Sequence, residues 1–358
     1  MRNALLVASA LSGLAAALPQ NINIAAAKAV PTPSLLGPAP TLPPNAPVNY
    51  NQASAVDKAK DDVASGAVKP SNKRDTSSCP AQPVGAAPAT GDYSVGAFQN
   101  PSNALMAIAS AATAPSGYVE NFKAKSGATQ QIGYLTYKIL PGTTYDVGAC
   151  AAFCDSEKFC LGFNIYYERD GTVQPTSDCP NPAPQTNIKC SLFGYPVSAA
   201  TATNSGQWQE QFQVVITGSN ESGYSKSSCT QPPTLSGYSV QSLPAAVNAP
   251  DVSTYNGMRL FNTNPFDPSL CAAACEAQTA FDKEHLVSNG RYTPCNYFTS
   301  YILTDNGVPL GTYCALYSVP IDSQYAVNSG YTSGSDTFNV VCTAAYTATT
   351  QDSGIVSQ

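Results

Sequence analysis

Little in this chain suits it to catalysis. Its 358 residues include one histidine and one tryptophan, and only 11% of them are charged. Histidine is the usual general base and metal ligand. Here His285 stands alone in FDKEHLVSN, at the tail of a predicted helix, where a solvated imidazole is favoured by the helix dipole. No Cys-x-x-Cys pair and no glycine-rich phosphate motif occur. We therefore expect no metal, no cofactor and no enzymatic activity. No basic stripe exists that would release counterions from nucleic acid. No stretch approaches the roughly 20 apolar residues of a membrane-spanning helix.

What is present divides the chain sharply. Arg2, an apolar run from Ala4 to Ala17, and small residues at Ala15 and Ala17 have the layout of a secretory signal peptide over residues 1–17. Residues 18–74 hold nine prolines, no cysteine and one aromatic, Tyr50. Such a segment cannot bury a core, and disorder is expected. It ends in Lys73-Arg74, a dibasic pair resembling a kexin-type processing site, which places the mature terminus at Asp75. Cleavage there leaves ten basic against twenty acidic residues, a net charge of minus ten. Nucleic acid and anionic membranes are then disfavoured partners.

Twelve cysteines follow, the signature of an oxidising compartment. They fall into two sets of six because the chain is duplicated. DVGACAAFCDSEKFC, from Asp146, returns as DPSLCAAACEAQTAF, from Asp267. In each copy two cysteines four apart, Cys150 with Cys154 and Cys271 with Cys275, lie on one face of an alanine-rich helix. The repeat extends outward. Ser116-Gly117-Tyr118 matches Ser236-Gly237-Tyr238, CLGFNIYYERDG from Cys160 matches CNYFTSYILTDNG from Cys295, CSLFGYPV matches CALYSVPI, and FQVVI from Phe212 matches FNVVC from Phe338. Asp170-Gly171 and Asp305-Asn306-Gly307 read as hairpin turns. Each unit thus reads as strand, strand, helix, hairpin, final strand, an α+β fold with one helix packed on an antiparallel sheet. The expected boundaries are 75–218 for the first unit, 219–228 for a linker, 229–346 for the second unit and 347–358 for a disordered tail.

The copies differ informatively. The first adds NALMAIASAA, a predicted helix capped by Ser102 or Asn103. It also has Cys179, while the second has Cys342 where the alignment puts Ile216. If Cys229 pairs with Cys342, its counterpart Cys79 is left with Cys179.

A helix bearing two cysteines four apart, tied to the following strands, resembles the PAN/apple superfamily, here as two tandem disulfide-rich domains. The resemblance implies Cys150–Cys190, Cys154–Cys160, Cys271–Cys314 and Cys275–Cys295, with Cys229–Cys342 tying the termini of the second unit. Leader, dibasic site, NIYYERDG and CPNPAP together also look like small secreted proteins of filamentous fungi. Apple-type modules bind proteins or carbohydrates without chemistry of their own.

The expected function is accordingly a secreted, extracellular or wall-associated module binding polysaccharide or glycoprotein. The alternatives are a surface-coat protein acting through protein contacts and, third, a glycoside-active enzyme. For the last, Glu168 with Asp170 and Asp155 with Glu157 are the carboxylate pairs, each placed where solvated charges are expected. For binding, alternation counted from Cys160 assigns Tyr166 to the core and Tyr167 to the open face, so Tyr167 and Trp208 are the candidate stacking rings. Asn220-Glu221-Ser222 is the only N-glycosylation acceptor in the chain.

Overall fold

The computed structural model describes residues 22–33, 36–38, 43–64, 78–123, 125–219, 223–226 and 231–356. The signal segment, Lys73-Arg74, Asn220 and Cys229 lie outside the described residues.

Two antiparallel sheets dominate, one per repeat, with matching strand order. The first runs Tyr118–Glu120, Gly223–Lys226, Gly162–Gly171, Pro184–Phe193, Tyr134–Ile139, and Val215–Thr217 also pairs with Gly162–Gly171. The second runs Tyr238–Ser242, Asp336–Ala348, Tyr297–Asp305, Val308–Tyr317, Tyr255–Phe261, with Gly330–Ser333 on the outer side of Asp336–Ala348. Helices α1 (Ile24–Ala29) and α2 (Gln52–Ala64) precede the repeats, and α3 (Val95–Gln99) and α4 (Ala104–Ala111) form the insertion. The repeat helices are α5 (Val147–Ser156) and α6 (Pro268–His285).

Each repeat helix starts where its sequence directs. The Asp146 carboxylate accepts from the Ala149 N–H, and Asp267 accepts from Ser269 with Pro268 as the first helical residue. Asn103 caps α4 by accepting from the Met106 N–H. Five disulfides join Cys79–Cys179, Cys150–Cys190, Cys154–Cys160, Cys271–Cys314 and Cys275–Cys295. Cys342 is also disulfide-bonded, and its expected partner Cys229 is outside the described residues. The four bonds made by the helix cysteines sit in the cores under the helices, with Phe163, Ile165 and Tyr167 in the first unit and with Phe298, Leu316 and Tyr346 in the second, whereas Cys79 is exposed.

That core corrects the alternation read from the sequence. The pleat begins at Gly162, two residues after Cys160, so Tyr167 faces α5 and Tyr166 faces away from it. The hairpin turn is also displaced. Asp170 and Gly171 still pair with Gln185 and Pro184, so the strand runs through them and the turn at that point is absent.

The duplicated final strands align two residues away from the textual match. Phe163 and Phe298 are equivalent, and five residues on Glu168 faces Ile216 while Leu303 faces Val340. Ile216 therefore corresponds to Val340, Val214 to Phe338, and Gly218 to Cys342. Backbone geometry agrees. A Cβ at Gly206 would lie 2.1 Å from the Val214 carbonyl, and one at Gly330 would lie 1.9 Å from that of Phe338. Gly218 (φ 46°) and Cys342 (φ 57°) both occupy the left-handed region, where the final strand is interrupted or bulged.

Three boundaries shift as well. Gly223–Lys226 is a strand of the first sheet, so much of the expected linker belongs to that unit. The expected disordered tail is instead ordered as far as it is described: Asp352 accepts from the Tyr292 hydroxyl at 2.7 Å, and Ile355 bridges Arg291. The leader is likewise structured in its described parts, because its side chains find partners on both units. The units themselves meet at Tyr195, whose hydroxyl lies 3.0 Å from the Asn264 carbonyl and 3.2 Å from Thr312 Oγ1.

Candidate functional site

Of the two candidate rings, the structure exposes one. Tyr167 is 0% exposed, packed 5.0 Å from Tyr145 inside the first core, and offers no face to a ligand. Trp208 is 66% exposed. It sits on a two-stranded ribbon, Trp208–Gln209 paired with Phe212–Gln213, that turns at Glu210 with φ 52°. Glu210 occupies the place that Gly334 (φ 64°) fills in the second unit, so the ribbon is a shared element carrying a ring in only one copy. The equivalent of Trp208 there is Thr332. Among the described residues Tyr331 is the only other exposed Phe, Tyr or Trp, at 36%, and it leans on Phe338.

The ribbon is held from beneath. Phe212 is buried under the Arg169 guanidinium, 4.3 Å from its ring, and Arg169 donates to the Tyr93 and Gln213 carbonyls at 2.7 Å each. Gln82 donates to Gln174 at 2.5 Å, and Gln174 donates to Gln209 at 2.9 Å. A train of oriented amides thus leads to the residue beside Trp208. Since side chains alternate along a strand, Gln209 turns inward with Phe212 while the indole turns outward.

Below these amides lies a charge cluster that was expected to be solvated and is not. Glu168 is 7% exposed and Lys189 8%. The Lys189 ammonium bridges the Glu168 carboxylate and Asp170 Oδ2, the latter at 2.9 Å. Asn187 donates to Asp170 at 2.6 Å, and the Tyr166 hydroxyl pairs with Ser191 at 3.1 Å. The cause is register. Tyr166, Glu168 and Asp170 share the face away from α5, and the next strand sets Lys189, Asn187 and Gln185 opposite them. The cavity above the cluster is about 30 Å³, lined by Gln174, Gln207 and Gln209 among others. That holds one or two waters and no sugar ring.

Burial, with the neighbouring Asp170, pushes the Glu168 carboxyl up to about 8. Burial alone would raise Asp170 as well, but the Lys189 charge and the bonds from Asn187 and Lys189 hold it below the usual carboxylate range. Burial works against the Lys189 charge, yet the two carboxyls keep its pKa well above that of a free lysine. Below pH 8 the cluster is therefore one cation, one anion and one neutral acid. Because Glu168 is raised in the folded state, its support is complete below the ordinary carboxylate range and is lost as pH rises through about 8. We expect the first unit to lose stability over that window by up to about 1.4 kcal/mol per pH unit. Thermal melts of Glu168→Gln, which cannot ionise, should lack this slope. An unchanged slope would refute the assignment. Asp170 has the opposite sign, its support failing only as pH falls below the carboxylate range.

The remaining expected residues do not converge. His285 is exposed at the end of α6, stacked 4.6 Å from Phe281. Asp155 accepts from the Tyr118 hydroxyl at 2.8 Å and meets Lys226 at 3.4 Å. Among the described residues no three His, Cys, Asp or Glu side chains are grouped to hold a metal, and no helix is long and apolar enough to cross a membrane. A cleft of about 560 Å³ between the units is lined by Phe159, Phe266 and Asp267 among others. Lys189 was overlooked in the sequence. Its signal is the one charged residue of a strand, beside a cysteine, with Glu168 and Asp170 two apart on the facing one.

No protein-family model, curated protein or solved structure matches the chain.

Proposed function

We propose that the chain is a secreted, non-enzymatic binding module for cell-wall carbohydrate or glycoprotein, with Trp208 as its principal contact. The exposure of Trp208 carries this reading. Leaving most of an indole in water forgoes on the order of 3 kcal/mol of burial, and the ring is presented by a ribbon fixed from below. Sugars stack their apolar faces on such rings while neighbouring amides meet their hydroxyls. The pairing of the four helix cysteines with the following strands supports the apple-like reading of both units.

The carboxylate pair argues against glycoside hydrolysis. Glu168 and Asp170 hydrogen-bond to one another and share one lysine. Glycosidases need their carboxyls at least about 5 Å apart, flanking the scissile bond.

Trp208 is the only tryptophan, so its fluorescence reports on one position. Titration with chito- and gluco-oligosaccharides should give a saturable change at weak affinity. In pull-downs on chitin and β-glucan, Trp208→Ala should weaken retention roughly fivefold, the loss of about 1 kcal/mol of stacking. A fluorescence signal that never responds would overturn the carbohydrate reading. Release of a hydrolysed product would overturn the non-enzymatic one.

A further inference from the structure

The proline-rich leader makes few contacts within itself and many with the body. Ile22 and Ala27 are buried in the core of the second unit, against the sheet face opposite α6, with Tyr301 and Tyr313. The Asn23 N–H donates to the Tyr313 hydroxyl at 3.2 Å. The Lys28 ammonium stands between Asp305 at 3.3 Å and Asp336 at 2.5 Å, 5.0 Å from the centre of the Phe338 ring. Further on, the Asn45 N–H donates to the Tyr137 carbonyl at 2.8 Å and Thr136 donates to the Ala46 carbonyl at 2.6 Å, along the edge strand of the first sheet. Tyr50 and Gln52 both donate to the Asp267 carboxylate, at 2.7 and 2.9 Å, and α2 lays Ala59 against Leu270 and Ala273 of α6.

These anchors span both units and contain no covalent link, since residues 18–74 have no cysteine. The dibasic pair Lys73-Arg74 follows the end of α2 by nine residues, Ala64 to Lys73.

We propose that the described parts of residues 22–64 form a non-covalent strap, retained after cleavage at Lys73-Arg74, so that the processed protein is a two-piece complex. The surface beneath the strap is then a docking site for a cysteine-free peptide rich in alanine and proline, with an apolar residue and a lysine six positions apart, as in Ile22 and Lys28. Its occupant is the chain's own leader. This inference is independent of any carbohydrate contact at Trp208, which lies in the other unit's ribbon.

The test uses the full chain. After digestion with a protease specific for dibasic sites, gel filtration and native mass spectrometry should find both fragments in one species, and denaturant without reductant should separate them. Lys28→Glu replaces two attractions by two repulsions at an exposed position, so the cut strap should dissociate about tenfold faster or more. Tyr50→Phe combined with Gln52→Ala should act in the same direction by freeing Asp267. A leader fragment that elutes apart from a body with native Trp208 fluorescence would overturn the proposal. So would a folded chain whose Lys73-Arg74 bond resists the protease, or a cut strap whose retention is indifferent to both variants.

Discussion

Lys189→Met should destabilise the first unit by about 3–5 kcal/mol, the scale of removing one partner from a buried ion pair. The substitution conserves length and apolar volume, so the loss is electrostatic. Asp170 would lose its countercharge in a site lined by Tyr137, Tyr166 and the glutamines, keeping only the hydrogen bonds from Asn187 and Glu168 while burial drives its carboxyl up. Glu168→Gln, by contrast, imitates the neutral acid already present below pH 8 and should be nearly silent at pH 6. Adding Asp170→Asn to Lys189→Met removes the orphaned charge and should recover much of the loss, because replacing a whole buried ionic group is often close to neutral. Urea unfolding of the four proteins tests this. A Lys189→Met midpoint equal to that of the wild type would mean that water reaches the cluster.

Replacing Cys271 and Cys314 together by alanine is expected to cost the second unit about 4 kcal/mol, the chain-entropy value for a closed loop of this size. The bond spans 43 residues and joins the first turns of α6 to the strand beneath. Cys275–Cys295 closes a shorter loop of 20 residues within it and would be left to hold the helix by itself. Denaturant midpoints, with mass mapping to verify that the other bonds persist, measure the effect. A loss below about 1 kcal/mol would show that packing of Leu270, Ala273 and Ala274 fixes α6 unaided.

The features legible in the sequence were those encoded over short separations. Two cysteines four apart specify a helix face wherever the helix lies, and Asp146, Asp267 and Asn103 announce helix starts through their own side chains. The turn at Asn306-Gly307 (φ 51° and 83°) is written in its residue types. Features set by a partner distant in sequence were not legible. Whether Tyr166 or Tyr167 faces the helix depends on where the pleat starts after the Cys154–Cys160 bond. The leader reads as disordered because its composition gives it no core, yet it borrows one from Leu270, Tyr301 and Tyr313. Glu168 and Asp170 look solvated until Lys189 is set opposite them. The match of FQVVI with FNVVC misled by two residues because four identities or near-identities outweighed a backbone constraint invisible in the letters.

That constraint bears on descent. Gly206, Glu210 and Gly218 correspond to Gly330, Gly334 and Cys342, with the same intervals of four and eight residues, and all six have positive φ. Close approach forbids a Cβ at the first position in both copies; the second position carries a side chain as Glu210 and the third as Cys342, at some strain, whereas a Cβ at Gly218 would stand 2.9 Å from the Leu105 carbonyl. The single ancestral unit that was doubled must already have owned this backbone rhythm, and each copy later spent its freedom elsewhere. One set Trp208 on the ribbon and Lys189 on the sheet face away from the helix; the other set Thr332 and Tyr313 at those places. A third member of this lineage would therefore be recognised less by its cysteines, one pair of which differs even between these siblings, than by the spacing of its left-handed residues.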